Sequence, residues 1–257
     1  MTDETPHPHI AHLCRYPVKG LSAESLHTVT LIPGEGLPED RRFALAHAGT
    51  RFDAANPEWL PKRSFLMLMK NERLALLESR YDAATTTLEI WRGGKRVALG
   101  ALATPVGRAV IEDFFAAFMR AEALGKPKLV EAPSHMFSDA REKVVSLINL
   151  ATVADLERVI GRPVDPLRFR GNVYLEGLPA WAEFDWVGRD IVIGEAKLRI
   201  VRRIPRCAAT DVDPSSGARD MNIPRTLMTA FGHVDLGLYA EVTAGGTITI
   251  GDGVHLP

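Results

Sequence analysis

Cysteine is almost absent: Cys14 and Cys207 are the only two among 257 residues. Two thiols cannot supply a disulfide scaffold, the four thiolates of a usual iron–sulfur cluster or a paired C-x-x-C site, and a chain of this length needs no covalent staple. Each cysteine is therefore a small buried hydrophobe, a nucleophile or a metal ligand, in a reducing compartment. Excess charge of either sign is missing as well. Lys plus Arg number 31 against 32 for Asp plus Glu, a net charge of -1, which points to neither a nucleic-acid partner nor a membrane surface. Any anion site must be local. No apolar run approaches about 18 residues, and the opening MTDETPHPHI has acidic residues and proline where an export signal needs a basic region and an apolar core. The expectation is a cytoplasmic protein without a spanning helix. Phosphate-binding loops, dinucleotide fingerprints, G-x-S-x-G and H-E-x-x-H are also missing.

The sequence does have ample material for a core, with 46% hydrophobic residues. The length suggests two packed halves. Short runs alternate apolar and polar residues at period two through IAHLCRYPV, HTVTLI, RFALAHA, LALLESRY and TLEIWRGGKRVAL, which predicts antiparallel strands with a hairpin turn at Gly93-Gly94. A helix then follows, with Thr104 as N-cap, Pro105 in the first position and an apolar stripe of Val106, Val110, Ile111, Phe114, Phe115 and Phe118 running to Ala121. The boundary falls at ALGKPK, giving an N-terminal half of residues 7–122 and a C-terminal half of 123–257. In the second half TVADLERVIG predicts a helix that starts with a capping box at Thr152 and Asp155 and stops at Gly161. Strand-like runs return in FRGNVYLEG, DIVIGEAKLRIV, GLYAEVT and TITIGDGV, broken by the short helix PRTLMTAFG. The fold class expected is α+β, predominantly β, with barrel-like sheets that close to remove sticky edges.

Three stretches could carry chemistry. VRRIPRCAATDVDP packs Arg202, Arg203 and Arg206 around Cys207; cations beside a thiol favour its thiolate, a better ligand or nucleophile. Strand alternation would put Arg203 on the face of Cys207 and Arg206 opposite, with Pro205 disturbing the register. Asp213 to Gly217 reads as a turn, which leaves Asp211 as a supporting carboxylate. RFRGN places Arg168, Arg170 and Asn172 on one face at period two, where two guanidinium forks could hold a phosphate. YPVKG and EDRRF add Lys19, Arg41 and Arg42. His7, His9 and His12 lie in a proline-spaced tail with no fourth ligand nearby, and Trp181, Phe184 and Trp186 read as core or rim aromatics.

In chain order, YPVKG, EDRRFAL, RFRGNVYLEG, EFDWVGRDIVIGEAKLRIVRRIPRCAATDVDPSSGARD, GLYAEV and GTITIGDGV resemble the MOSC-domain family. The likeness is to the branch that joins an N-terminal β-barrel domain to the MOSC domain, the amidoxime-reducing proteins. That resemblance implies a molybdenum cofactor (molybdopterin), with Cys207 as the protein's thiolate to the metal; Cys207, with Asp211 as the supporting carboxylate read from the residues, is expected to be catalytic. It implies that Lys19, Arg41, Arg170 and Asn172 hold the pterin or its phosphate, with Asn149 lining the same region. It also implies reduction of N-hydroxylated small molecules with electrons from a separate ferredoxin-like or flavin-containing protein. Gly20 stands where the family often has serine, and RFRGN where it has RFRPN. A carrier or binding module that holds cofactor or sulfur on the same cysteine is the alternative.

Overall fold

The computed structural model describes residues 7–256 apart from 121 and 134; the expected helix end at Ala121 and the last residue of the second half lie outside the described residues. In chain order the strands are β1 (His9–Arg15), β2 (Glu24–Leu26), β3 (Thr28–Leu31), β4 (Phe43–Ala46), β5 (Glu78–Asp82), β6 (Thr87–Arg92) and β7 (Lys95–Ala101), followed by helix α1 (Pro105–Phe118). Then come β8 (Lys128–Glu131), β9 (Val145–Asn149), α2 (Leu150–Ile160), β10 (Val173–Glu176), β11 (Asp190–Ile193), β12 (Ala196–Pro205), α3 (Ile223–Phe231), β13 (Asp235–Ala244), β14 (Gly246–Thr249) and β15 (Val254–His255). The molecule is α+β and predominantly β.

One eight-stranded sheet, in the order β15-β11-β12-β13-β9-β10-β1-β2, curls into a half-barrel. Its pairings are antiparallel except for β9 with β10, which are joined through α2 as a parallel pair needs a crossover. The pairing crosses the boundary expected at 122/123: β1, from the start of the chain, lies between β10 and β2, and β3 pairs with β14 near the end. Ile10, Leu13, Leu31 and Leu37 are accordingly buried in the core of the C-terminal strands. A second core gathers β5-β6-β7, α1 and the strand pair β4-β8, with Phe43, Leu66, Ile111 and Phe115 at its centre.

Local chemistry explains these elements. Thr104 caps α1 by accepting from the Gly107 backbone N–H, with proline in the first turn. Only the Ile111, Phe115 and Phe118 side of the expected stripe is buried; Val106 and Val110 are 75% and 42% exposed, because α1 covers β7 with one narrow face. The α2 cap differs from expectation. Asn149 accepts from Ala151 N–H and is the N-cap, while Thr152 sits inside the helix and donates to the buried Glu183 carboxylate. Gly161 ends α2 in the left-handed region at φ 78°, where glycine pays no Cβ penalty. No helix among the described residues is long and apolar enough to cross a membrane.

Candidate functional site

Tyr16 follows directly on β1, and the turn after it delivers Lys19. The Lys19 ammonium, on a residue 8% exposed, donates to the Phe137 carbonyl at 2.8 Å and to Asp139 Oδ1 at 2.7 Å. Burial pulls it below its ordinary pKa against the pull of Asp139. Asp139 also accepts from Lys62 at 3.3 Å. Burial alone would raise its carboxyl, but Lys19 and then Lys62 override that and hold it down at about 2. Arg41 has a left-handed backbone (φ 49°), pairs with Asp40 and donates to the Arg170 carbonyl at 2.8 Å.

The C-terminal strands bring the other wall. RFRGN is not extended. Pro166–Phe169 form a 3-10 turn capped by Asp165, and Arg170 follows with φ 51°, so period-two alternation starts only at Val173. The two arginines consequently part company. Arg168, 4% exposed, is spent on structure: it pairs with Asp213 and Asp220 at 2.9 Å each and donates to the Thr210 and Asp211 carbonyls. The Asp213 side chain in turn accepts from Ser215 and Ser216, which holds its carboxyl well below the usual range. DVDPSSG is thus a turn bolted to Arg168, and it positions the loop that carries Cys207.

Cys207 lies one residue beyond Arg206, just past the end of β12, half-buried and free. Its carbonyl accepts from both the Thr210 N–H and hydroxyl. Strand β12 is irregular between Ile200 and Arg202 and again between Arg203 and Pro205, and this overturns the expected facing. Arg203 turns outward onto the Phe184 ring at 4.1 Å, while Arg202 and Arg206 face the cavity. Arg206 donates to the Phe169 and Leu236 carbonyls, and burial lowers it to about 10.

These walls enclose a cavity of about 310 Å³ lined by Lys19, Gly20, Arg41, Lys62, Asp139, Arg170, Asn172, Arg206, Cys207 and Tyr239, among others. Its volume is at the lower end of small-ligand sites. Five of those ten residues are cations and one is an anion. Among the described residues Arg170 and Arg206 make no ion pair, and Arg170 Nη2 is buried without a partner. Burial, then the neighbouring Arg41 charge, lowers Arg170 to about 10. Uncompensated buried cations are costly unless an anion completes them.

Of the residues expected to act together, Lys19, Arg41, Arg170, Asn172 and Cys207 line this cavity. Asn172 has no free polar atom: Oδ1 accepts from the Ser146 N–H and hydroxyl, and Nδ2 donates to the Cys14 carbonyl, so the side chain ties β9, β10 and β1 together. Asn149 is not among the lining residues. Its side chain caps α2 and donates to Glu183 at 2.8 Å. Asp211 is likewise outside, accepting from the Ile223 N–H at the start of α3; burial raises its carboxyl above the usual value. Sequence reasoning missed Lys62 and Asp139. Burial would lower the Lys62 ammonium, but Asp139 and then the sulfur of Cys207 hold it above its ordinary pKa. The motifs PKRS and MFSDA carry no pattern that would flag them, because the contacts run between segments far apart in the chain.

The MOSC domain model matches residues 132–255, the half that contributes Arg170 and Cys207. Residues 132–255 are a MOSC domain. Across 132 residues, 47% of the chain, it is 30% identical to mitochondrial amidoxime-reducing component 1 of Mus musculus, and across 122 residues, 43%, it is 28% identical to the Homo sapiens protein of that name. The aligned stretches are 38% and 36% of those proteins, so the chain covers well under two thirds of either. Among solved structures, YUAD protein from Bacillus subtilis aligns over 96% of this chain and 93% of its own at TM-score 0.45 and 13% identity. YiiM from Geobacillus stearothermophilus aligns over 44% of this chain and 53% of its own at TM-score 0.36 and 22% identity. In the present molecule the MOSC domain meets Lys19, Arg41 and Lys62 from the preceding segment across the cavity.

Proposed function

We propose that this cavity holds a molybdenum cofactor and that the protein reduces N-hydroxylated small molecules, taking electrons from a separate ferredoxin-like or flavin-containing partner. The observation that carries the reading is the meeting of one half-buried thiol with two half-buried guanidinium groups, Arg170 and Arg206, that have no counter-charge among the described residues, above all Arg170 with its buried, orphaned Nη2. The donor set fits the group. A soft metal takes a thiolate, which only Cys207 offers here, and a pterin phosphate of about two negative charges takes convergent Lys and Arg. Lys19, Arg41 and Arg170 would hold the pterin and its phosphate, and Cys207 would hold the metal. When bound, the cofactor supplies the two-electron chemistry that removes oxygen from an N–O group, while the chain contributes binding, orientation and charge.

Lys62 and Asp139 have a part that does not depend on the metal. Both line the cavity, Lys62 close to Cys207, with Asp139 bridging Lys62 to Lys19. Such a pair can hold a polar substrate group by hydrogen bonds. The test is molybdenum content after purification from a cofactor-competent host, followed by benzamidoxime reduction with an artificial donor. Metal retention with turnover is expected. Metal retention without turnover would support the carrier role, and a metal-free chain would remove the cofactor assignment.

A further inference from the structure

Tyr16 is 1% exposed, directly after β1, and two of the cavity's guanidinium groups rest on its ring: Arg41 Cζ is 4.4 Å and Arg170 Cζ 4.2 Å from the centroid. Both arginines adopt left-handed backbones (φ 49° and 51°), a conformation that is strained for a residue with a Cβ and persists only where the surroundings enforce it. The compensation available to the pair is unequal. Arg41 has Asp40, whereas Arg170 donates to the Leu21 carbonyl at 2.7 Å and has no carboxylate. What lies against Arg170 instead is the electron-rich face of an aromatic ring, which attracts a cation more strongly when water is excluded.

The ring is itself held at its far end. The Tyr16 and Tyr174 hydroxyls are 3.3 Å apart, and Tyr174 accepts from the Gly171 N–H at 3.1 Å, the residue directly after Arg170. One aromatic pair therefore fixes the ring and the turn that presents the arginine. We propose that Tyr16 is the positioning residue of the cavity's anion site: its ring carries Arg41 and Arg170 together and keeps a half-buried, incompletely paired positive charge aimed at the cavity. This rests on the reading that the cavity takes an anionic cofactor, but it concerns the chain's own side chains and is measurable without the metal.

The experiment is inorganic phosphate binding to the cofactor-free full chain by calorimetry, for wild type, Tyr16→Phe, Tyr16→Leu and a series with progressively fluorinated phenylalanine at position 16. Fluorine drains the ring face of electron density while scarcely changing its shape. Tyr16→Phe should stay within about threefold of wild type, and affinity should fall stepwise with fluorination to roughly tenfold weaker, at unchanged thermal midpoint. Tyr16→Leu should lose at least as much affinity. Affinity that is flat across the fluorinated series would overturn the proposal and leave the ring as packing, as would a wild-type chain that binds no phosphate. Failure of the cofactor reading shows separately, as a chain that binds phosphate with the expected fluorine trend yet carries no molybdenum from a competent host.

Discussion

Cys14 on β1 is 4% exposed, packed in one cluster with Tyr174, Ile148 and Phe169, and burial pushes its thiol up to about 11. Cys207 shares the chemistry but not the surroundings: it is half-buried and lines the cavity. Alkylation of the native chain at pH 8 should therefore label Cys207 and spare Cys14 until the protein unfolds. Mass spectrometry of the labelled peptides reads this directly, and native labelling of Cys14 would show that β1 opens readily. A second residue-scale outcome concerns Asp139. Its folded pKa of about 2 lies below the ordinary 3.8, so the carboxylate stabilises the fold above pH 4, and that contribution fades as pH falls toward 2. Thermal midpoints of wild type and Asp139→Asn should differ above pH 4 and converge near pH 2; a constant gap across that range would mean the lysine pairs add nothing. Cys207 was legible because its neighbours form a recognisable run. Asn149 misled because a helix cap and a ligand draw on the same side-chain atoms, and only the Ala151 and Glu183 contacts separate the two roles.

Among the elements, α1 and β7 meet at a glycine pair. A Cβ on Gly107 would lie 2.1 Å from the Ala101 carbonyl oxygen, and one on Gly100 2.3 Å from that of Gly107. Alanine would raise the intrinsic helix preference at Gly107 by about 1 kcal/mol, but the backbone clash should cost more than the usual 1–3 kcal/mol of overpacking. Gly107→Ala should lower the thermal midpoint by several degrees, and a higher midpoint would contradict the packing described. Strand β1 makes the other element-scale point. Ile10 and Leu13, with Leu31 and Leu37, are buried among the C-terminal strands; at about 2 kcal/mol each they amount to much of a typical domain's stability margin of about 5–15 kcal/mol. Residues 123–257 expressed alone should lack cooperative unfolding by circular dichroism, and a sharp, native-like transition would show that β1 is dispensable. Period-two patterning revealed β1 as a strand, but no local signal says which sheet a strand joins, since that depends on partners more than a hundred residues away.

For the whole molecule, the account is that two chain segments meet to build one positively charged cavity around a thiol. The order of motifs made the convergence of Lys19, Arg41, Arg170 and Cys207 readable, whereas the bulges that swing Arg203 out and Arg202 and Arg206 in depend on the pairing of β12 with β13 and left no mark in the sequence. Cleft cations contribute little to folding when no carboxylate pairs with them, so Arg170→Ala should fold with an unchanged or higher thermal midpoint and lose bound metal. The most direct measurement is X-ray absorption at the molybdenum edge on metal-loaded wild type and Cys207→Ser. The account predicts that the variant loses one sulfur from the metal's ligand shell while its circular dichroism matches wild type. Identical edge spectra from the two proteins would contradict it, and Cys207 would then be a bystander in the cavity wall.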